Sequence, residues 1–169
     1  MAGEVMDLYV IRHAWAGHYG DPQWPDDGLR PLTPEGRKRF AQLVKKIVPR
    51  GFAPEVVATS PLTRCVQTAE VVCQGVPGNP ELVELGELLP GSDLEGLLRW
   101  TGELAGRHES VAWVGHAPDV GHLTAALIGQ SRGWIHFAKG AVASIRFDEE
   151  VASGEGELRW LATAKILGC

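Results

Sequence analysis

Val5-Met6-Asp7-Leu8-Tyr9-Val10-Ile11 runs directly into Arg12-His13-Ala14. The run is apolar at almost every position and rich in β-branched and aromatic side chains, so neither of its faces suits water. That is the pattern of a central strand in a parallel sheet covered on both sides. In open α/β sheets ligands bind outside the carboxyl ends of the strands. The strand therefore presents a guanidinium and an imidazole, Arg12 and His13, where a ligand is expected.

Working outward, the chain alternates strand and helix patterns. A loop rich in Gly, Pro, Asp and Trp spans about Trp15 to Leu32. Thr33-Pro34-Glu35 then reads as a helix start, with a hydroxyl cap, a proline in the first turn and an acid at the positive dipole end. Phe40, Leu43, Val44 and Ile47 recur at helical spacing, and Pro49 with Gly51 stops the helix. Glu55 to Thr59 reads as a strand, followed by a helix that Ser60-Pro61 is expected to cap and that reaches about Gln74. Leu82 to Leu85 reads as a short strand, and Leu94, Leu97, Leu98 and Thr101 mark a helix. Val111-Ala112-Trp113-Val114 is a buried strand, and Pro118 opens a helix carrying Val120, Leu123, Thr124 and Leu127. Two β-rich runs, Ala141 to Phe147 and Glu157 to Thr163, close the chain as a hairpin over the acidic, glycine-bearing linker Asp148 to Gly156. The alternation predicts a three-layer α/β/α sandwich with a mostly parallel sheet and an antiparallel edge, in a single domain over residues 1–169.

The 169 residues suffice for a full core. Their hydrophobic share of 44% is that of an ordinary globular chain, and no apolar run approaches the roughly 20 residues that cross a bilayer. Met1-Ala2-Gly3-Glu4 has neither a basic nor an apolar leader pattern, and the three cysteines, 65, 73 and 169, form no Cys-x-x-Cys pair. A cytoplasmic protein with reduced thiols is expected. A net charge of −5 speaks against a nucleic-acid or anionic-membrane surface. An anion site must then be a local concentration of cations.

Such a concentration forms if the strand ends are neighbours. The first strand ends in Arg12-His13, the second leads into Ser60-Pro61-Leu62-Thr63-Arg64, and the fourth finishes in Gly115-His116-Ala117-Pro118. Arginine offers a planar fork of donors matched to phosphate oxygens and keeps its charge. Two of them beside a histidine are expected to lower its pKa by like-charge repulsion, favouring the neutral imidazole whose lone pair attacks phosphorus. A backbone carbonyl on the other ring nitrogen would fix that tautomer. His116 is the candidate protonated partner, stabilising charge on the transferred group.

These stretches resemble the histidine phosphatase, or phosphoglycerate mutase-like, superfamily. Its Arg-His-Gly signature corresponds to Arg12-His13-Ala14, with alanine for the usual glycine, and Trp15 follows where many members are polar. Its second block resembles Ser60 through Ala69, its third Val114-Gly115-His116-Ala117-Pro118, and its Leu-Thr-x-x-Gly turn Leu32 to Gly36. The resemblance implies a phosphoglycerate mutase-like fold and a metal-independent, cofactor-free phosphatase with His13 as phosphorylated nucleophile and Arg12, Arg64 and His116 as phosphate pocket. Only about 19 residues, Gly75 to Asp93, stand where larger members carry a lid. With the Arg30-Pro31-Leu32-Thr33 run, this resembles the short SixA-type phosphohistidine phosphatases.

The implied substrate is a phosphorylated protein histidine or a small phosphorylated metabolite. Rival readings are a small-molecule phosphomonoesterase or mutase, a non-catalytic phosphate-binding module, and a metal hydrolase using His13, His18, His116 and His122. Glu87 falls where the family often places its general acid, and Arg30 is a further candidate for the phosphate or a second anionic group. Asp21, Asp26 and Asp27 are further candidate acids on the loop after the first strand, each reading more readily as a turn residue. Trp15 and Trp24 are candidates for the mouth of the site, and His108 and His136 for surface or packing positions.

Overall fold

The computed structural model describes residues 5–130 and 132–169; Met1–Glu4, which carry the reading of the amino terminus, lie outside them. In chain order the elements are β1 (Met6–Arg12), α1 (Pro34–Ile47), β2 (Val56–Thr59), α2 (Thr63–Gly75), β3 (Glu81–Glu84), α3 (Leu94–Leu104), β4 (Ser110–Gly115), α4 (Asp119–Leu127), β5 (Val142–Phe147), β6 (Glu157–Ala162) and α5 (Ala164–Leu167). One sheet runs in the order β3-β2-β4-β1-β5-β6. The β3, β2, β4 and β1 strands are mutually parallel, and β5 and β6 add the antiparallel edge.

Apart from the exposed Val5 and the half-buried Asp7, the opening run is buried because alternate residues serve different layers. Tyr9 and Ile11 join Phe40, Leu43 and Val44 of α1 and Ala69 and Val72 of α2. Met6, Leu8 and Val10 join Leu97 of α3 and Val120, Leu123 and Leu127 of α4. A strand two-sided in this way has no polar alternation to show, which is why its sequence is continuous in apolar character.

Register sets the site. Ile11 pairs with Val114 and Arg12 with Gly115, while Thr59 pairs with Val114 from the other side. The backbone beyond the strands continues the ladder: His13 N–H donates to Gly115 C=O at 3.0 Å and Ser60 N–H to Val114 C=O at 3.0 Å. Three strand ends thus finish level with one another.

Most expected elements stand where the patterns put them, including the Thr33 cap, whose Oγ1 accepts from Gly36 N–H at 2.9 Å. Two expectations change. Ser60 does not cap α2, which begins at Thr63 with no side-chain cap, because the serine hydroxyl is engaged inside the site. The turn of helix α5, capped by Thr163, has no counterpart in the sequence reading; at four residues it is too short to show a period. No helix among the described residues is long and apolar enough to cross a membrane.

The largest fully buried side chain, Trp113, donates its indole N–H to Thr101 Oγ1 at 3.1 Å. Replacing Thr101 by Val keeps the volume but leaves that N–H without its acceptor. The Thr101→Val variant is expected to lose about 1–3 kcal/mol in urea unfolding, with an unchanged denaturant slope.

Candidate active site

His13 and His116 sit side by side at the level strand ends, ring centroids 5.5 Å apart and planes at 62°. Both are buried. The Nδ1 of His13 lies 2.8 Å from the carbonyl oxygen of Ala14. A carbonyl only accepts, so Nδ1 carries the proton and Nε2 keeps its lone pair. Ala14 is itself fixed: its N–H donates to Thr68 Oγ1 at 3.0 Å, and Thr68 donates to Arg64 C=O at 2.7 Å. Asn79 is the sole non-glycine residue with positive φ among the described residues, so alanine fits at position 14 without strain.

Burial lowers the His13 pKa to about 3, ahead of the charges of Arg64, His116 and Arg12, and despite the Ala14 bond that opposes the shift. The neutral imidazole expected from the sequence is present, but desolvation, not arginine repulsion, leads. His116 is pushed to about 4 by burial and then Arg64, with Asp119 and Asp27 pulling the other way. The free site therefore holds two neutral imidazoles at neutral pH, and the protonated His116 expected from the sequence requires a bound anion to bring the proton.

The arginines frame this pair. Arg12 donates Nη1 to Phe137 C=O at 2.7 Å, and Arg64 donates Nη1 to Asp27 C=O at 2.9 Å. The Nε of each is buried with no partner among the described residues, an arrangement that an oxyanion would satisfy. Arg30 is buried too, giving Nε to Asp27 Oδ1 at 2.8 Å and Nη1 to Gly17 C=O at 2.6 Å. Asp27 also meets Arg64 Nη1 at 3.2 Å. Arg30 is thus linked to Arg64 through one carboxylate, and the arginines together hold the Asp27 carboxyl below its ordinary range.

The structure separates the remaining candidates. Glu87 lies in a 3₁₀ turn, Gly86–Leu88, with its Cγ against Gly96 at the start of α3 and its C=O accepting from Asp93 N–H. Leu88 of that turn packs on Gly115, so the turn borders the site, but no hydrogen bond or ion pair joins Glu87 to Arg12, His13, Arg64 or His116. Asp21 and Asp26 close turns on Gln23 N–H and Gly28 N–H. Trp15 turns away from the mouth, under the Arg39 guanidinium and against Gly140. His18 is exposed, His108 pairs with Glu55, and His122 packs on Trp134, so they do not join His13 and His116.

Sequence reasoning missed the partners of two residues. Asp27 is a candidate acid that reads more readily as a turn residue; its pairing with Arg64 is a tertiary contact with no local signal. Ser60 read as a helix cap, yet its buried Oγ lies 2.9 Å from His116 Nε2. Cys65 Sγ stands 3.5 Å from the same nitrogen, and burial raises this thiol to about 12.

The model of the histidine phosphatase superfamily (branch 1) matches residues 8–122. An uncharacterized protein of Picosynechococcus is 32% identical over 143 residues, covering 83% of this chain and 85% of its own. The structure of the protein histidine phosphatase SixA complexed with tungstate superposes with a TM-score of 0.83 at 28% identity, over 96% of this chain and 99% of that one. The SixA structure from Agrobacterium tumefaciens gives 0.75 at 21% identity, over 94% and 97%.

Stability should record the buried imidazoles. Unfolded histidines bind protons from about pH 6.5 downward, whereas folded His13 and His116 do so only near 3 and 4. Between pH 6.5 and 4 the unfolded chain holds more protons, so stability falls as pH falls. Urea midpoints measured from pH 7 to 4.5 should drop, and a His13→Asn, His116→Asn double variant should show a shallower drop. Asp27→Asn should lower the urea midpoint, because it removes the carboxylate that pairs with two buried arginines at once.

Proposed function

The chain belongs to the histidine phosphatase superfamily, and from that premise we propose that it hydrolyses phosphohistidine on proteins through a phosphoryl group carried on His13. The observation that carries the reading is the bond from His13 Nδ1 to Ala14 C=O. It aims an unprotonated Nε2 from a buried, arginine-flanked position, which is what nucleophilic attack at phosphorus requires.

The phosphoryl oxygens take up the donors of Arg12 and Arg64, including the two Nε–H groups that have no partner among the described residues. Nε2 attacks as the bond to the leaving group breaks, and positive charge on the imidazole is balanced by the dianionic phosphoryl group. That dianion raises the His116 pKa, so His116 gains a proton and donates to a phosphoryl oxygen. Water then attacks phosphorus, the P–Nε2 bond breaks, and phosphate leaves with His13 restored.

The leaving group decides the substrate class. An imidazole leaves readily once protonated, so P–N cleavage asks less of a general acid than an alkyl phosphate does. Glu87 packs by its Cγ on α3, and the residues between α2 and α3 form β3 and a 3₁₀ turn rather than a cover. A protein side chain can reach such a site. The likeness to SixA supports the same substrate class. Activity within one domain, in a reducing cytoplasm where Cys65, Cys73 and Cys169 stay free thiols, completes the reading.

Incubation with phosphoramidate should give an acid-labile phosphoenzyme that His13→Ala abolishes and that chelators leave unchanged. Against a phosphohistidine protein, p-nitrophenyl phosphate and 3-phosphoglycerate, the first should be hydrolysed fastest, and His13→Ala should lower that rate about a thousandfold or more. Equal rates for mutant and wild type on all three would overturn the mechanism. Interconversion of phosphoglycerates without net hydrolysis would replace the phosphatase by a mutase.

A further inference from the structure

Trp134 is 58% exposed, while Trp113 is fully buried and the other four tryptophans are partly covered. It stands on an irregular stretch between α4 and β5 that is tied down beneath it. Ile135 N–H donates to Gly121 C=O at 3.3 Å. The approach is so close that a Cβ on Gly121 would sit 2.2 Å from the Ile135 carbonyl oxygen. Two residues on, Phe137 C=O accepts from Arg12, and Gly140 N–H donates to His13 C=O at 3.1 Å. The loop is thus bolted to the two residues that begin the phosphate pocket.

The indole is braced as well as exposed. His122 of α4 and His136 approach it edge-on, with ring centroids at 6.3 and 6.2 Å and planes at 64° and 70°. A cavity of about 250 Å³ is lined by Arg12 and Ala117, the residue after His116, together with Trp134 and His136. Its charge suits an anionic guest: no Asp or Glu occurs from Val120 to Phe147, a stretch holding Arg132 and Lys139. A large aromatic side chain held open to solvent on an anchored loop loses little freedom when a second ring covers it.

We propose that Trp134 is a specificity residue whose indole receives the planar ring bearing the phosphoryl group, so that the site selects ring-borne phosphoryl groups over small acyclic ones. The inference rests on the phosphatase reading and deepens it. Arg12 and its neighbours hold the phosphoryl group, and the cavity leads the ring away from phosphorus onto Trp134.

Phosphoramidate and free phosphohistidine share a P–N bond, but only the second carries a ring. The Trp134→Ala variant should lower kcat/KM for phosphohistidine about three- to tenfold relative to phosphoramidate, chiefly through KM, and Trp134→Phe should restore most of it. An equal loss on both substrates, or no loss on phosphohistidine, overturns the proposal. Fluorescence supplies a readout independent of turnover. Phosphohistidine, and not phosphoramidate, should quench emission in a His13→Asn background, and Trp134→Phe should remove that quench. A wild-type enzyme that forms no phosphoenzyme would sink the parent reading alone, since the quench still decides whether the ring reaches Trp134; absence of the quench sinks this one.

Discussion

The parallel pairing of β1 with β4, with Arg12 opposite Gly115, is the constraint on which the site depends. Side chains alternate across a strand, so a slip of one residue would send Arg12 and His13 to opposite faces from those they now occupy. The register is held by more than the ladder. Tyr9, Ile11, Ala112 and Val114 feed one core, and Leu8, Val10, Val111 and Trp113 the other. A shift would strand both sets at once. The two layers therefore specify the alignment that brings His13 within 5.5 Å of His116.

That alignment has an electrostatic consequence. Packing two imidazoles among buried guanidinium groups disfavours a proton on either, and the leading cause is loss of water rather than the neighbouring charges. Burial lowers the Arg12 pKa as well, but a guanidinium keeps its charge, and each arginine has a fixed partner: Phe137 C=O for Arg12, Asp27 for Arg64, Asp27 and Gly17 C=O for Arg30. One carboxylate thus serves two cations. It offsets part of their charge and fixes where their remaining donors point, so an incoming dianion meets a site already arranged for it.

The sheet, its helices and four of the clustered residues were legible because each has a local cause. Continuous apolar runs mark buried strands, and Thr33-Pro34-Glu35 and Phe40 through Ile47 mark α1. Arg12, His13, Arg64 and His116 were found because strand ends can be located from strand patterns alone. What escaped depends on contacts distant in sequence. Asp27 reaches Arg64 across 37 positions, and Ser60 reaches His116 across 56; neither leaves a periodic trace. Trp15 is a candidate for the mouth because it follows His13, yet the chain turns there and the ring lies under the Arg39 guanidinium of α1 and against Gly140. Glu87 was found in the right neighbourhood, but its stem is turned onto Gly96.

Under the proposed mechanism, Ser60 lets His116 take two charge states without moving. A hydroxyl both donates and accepts. With His116 neutral, Ser60 Oγ–H can donate to Nε2 across the 2.9 Å contact; with His116 protonated, Nε2–H donates to the same oxygen. Only the hydroxyl hydrogen has to rotate. The oxygen keeps a second lone pair in either case, and Leu62 N–H lies 3.4 Å from it, which holds the serine in place during the change. A carbonyl at this position would bind a neutral ring only as its Nε2–H tautomer, and an ammonium would bind only a neutral ring with a free Nε2. The proposed nucleophile has the opposite need. His13 must present one tautomer throughout, and Ala14 C=O, an acceptor alone, enforces it. The two histidines thus differ in role because their partners differ in what they can exchange.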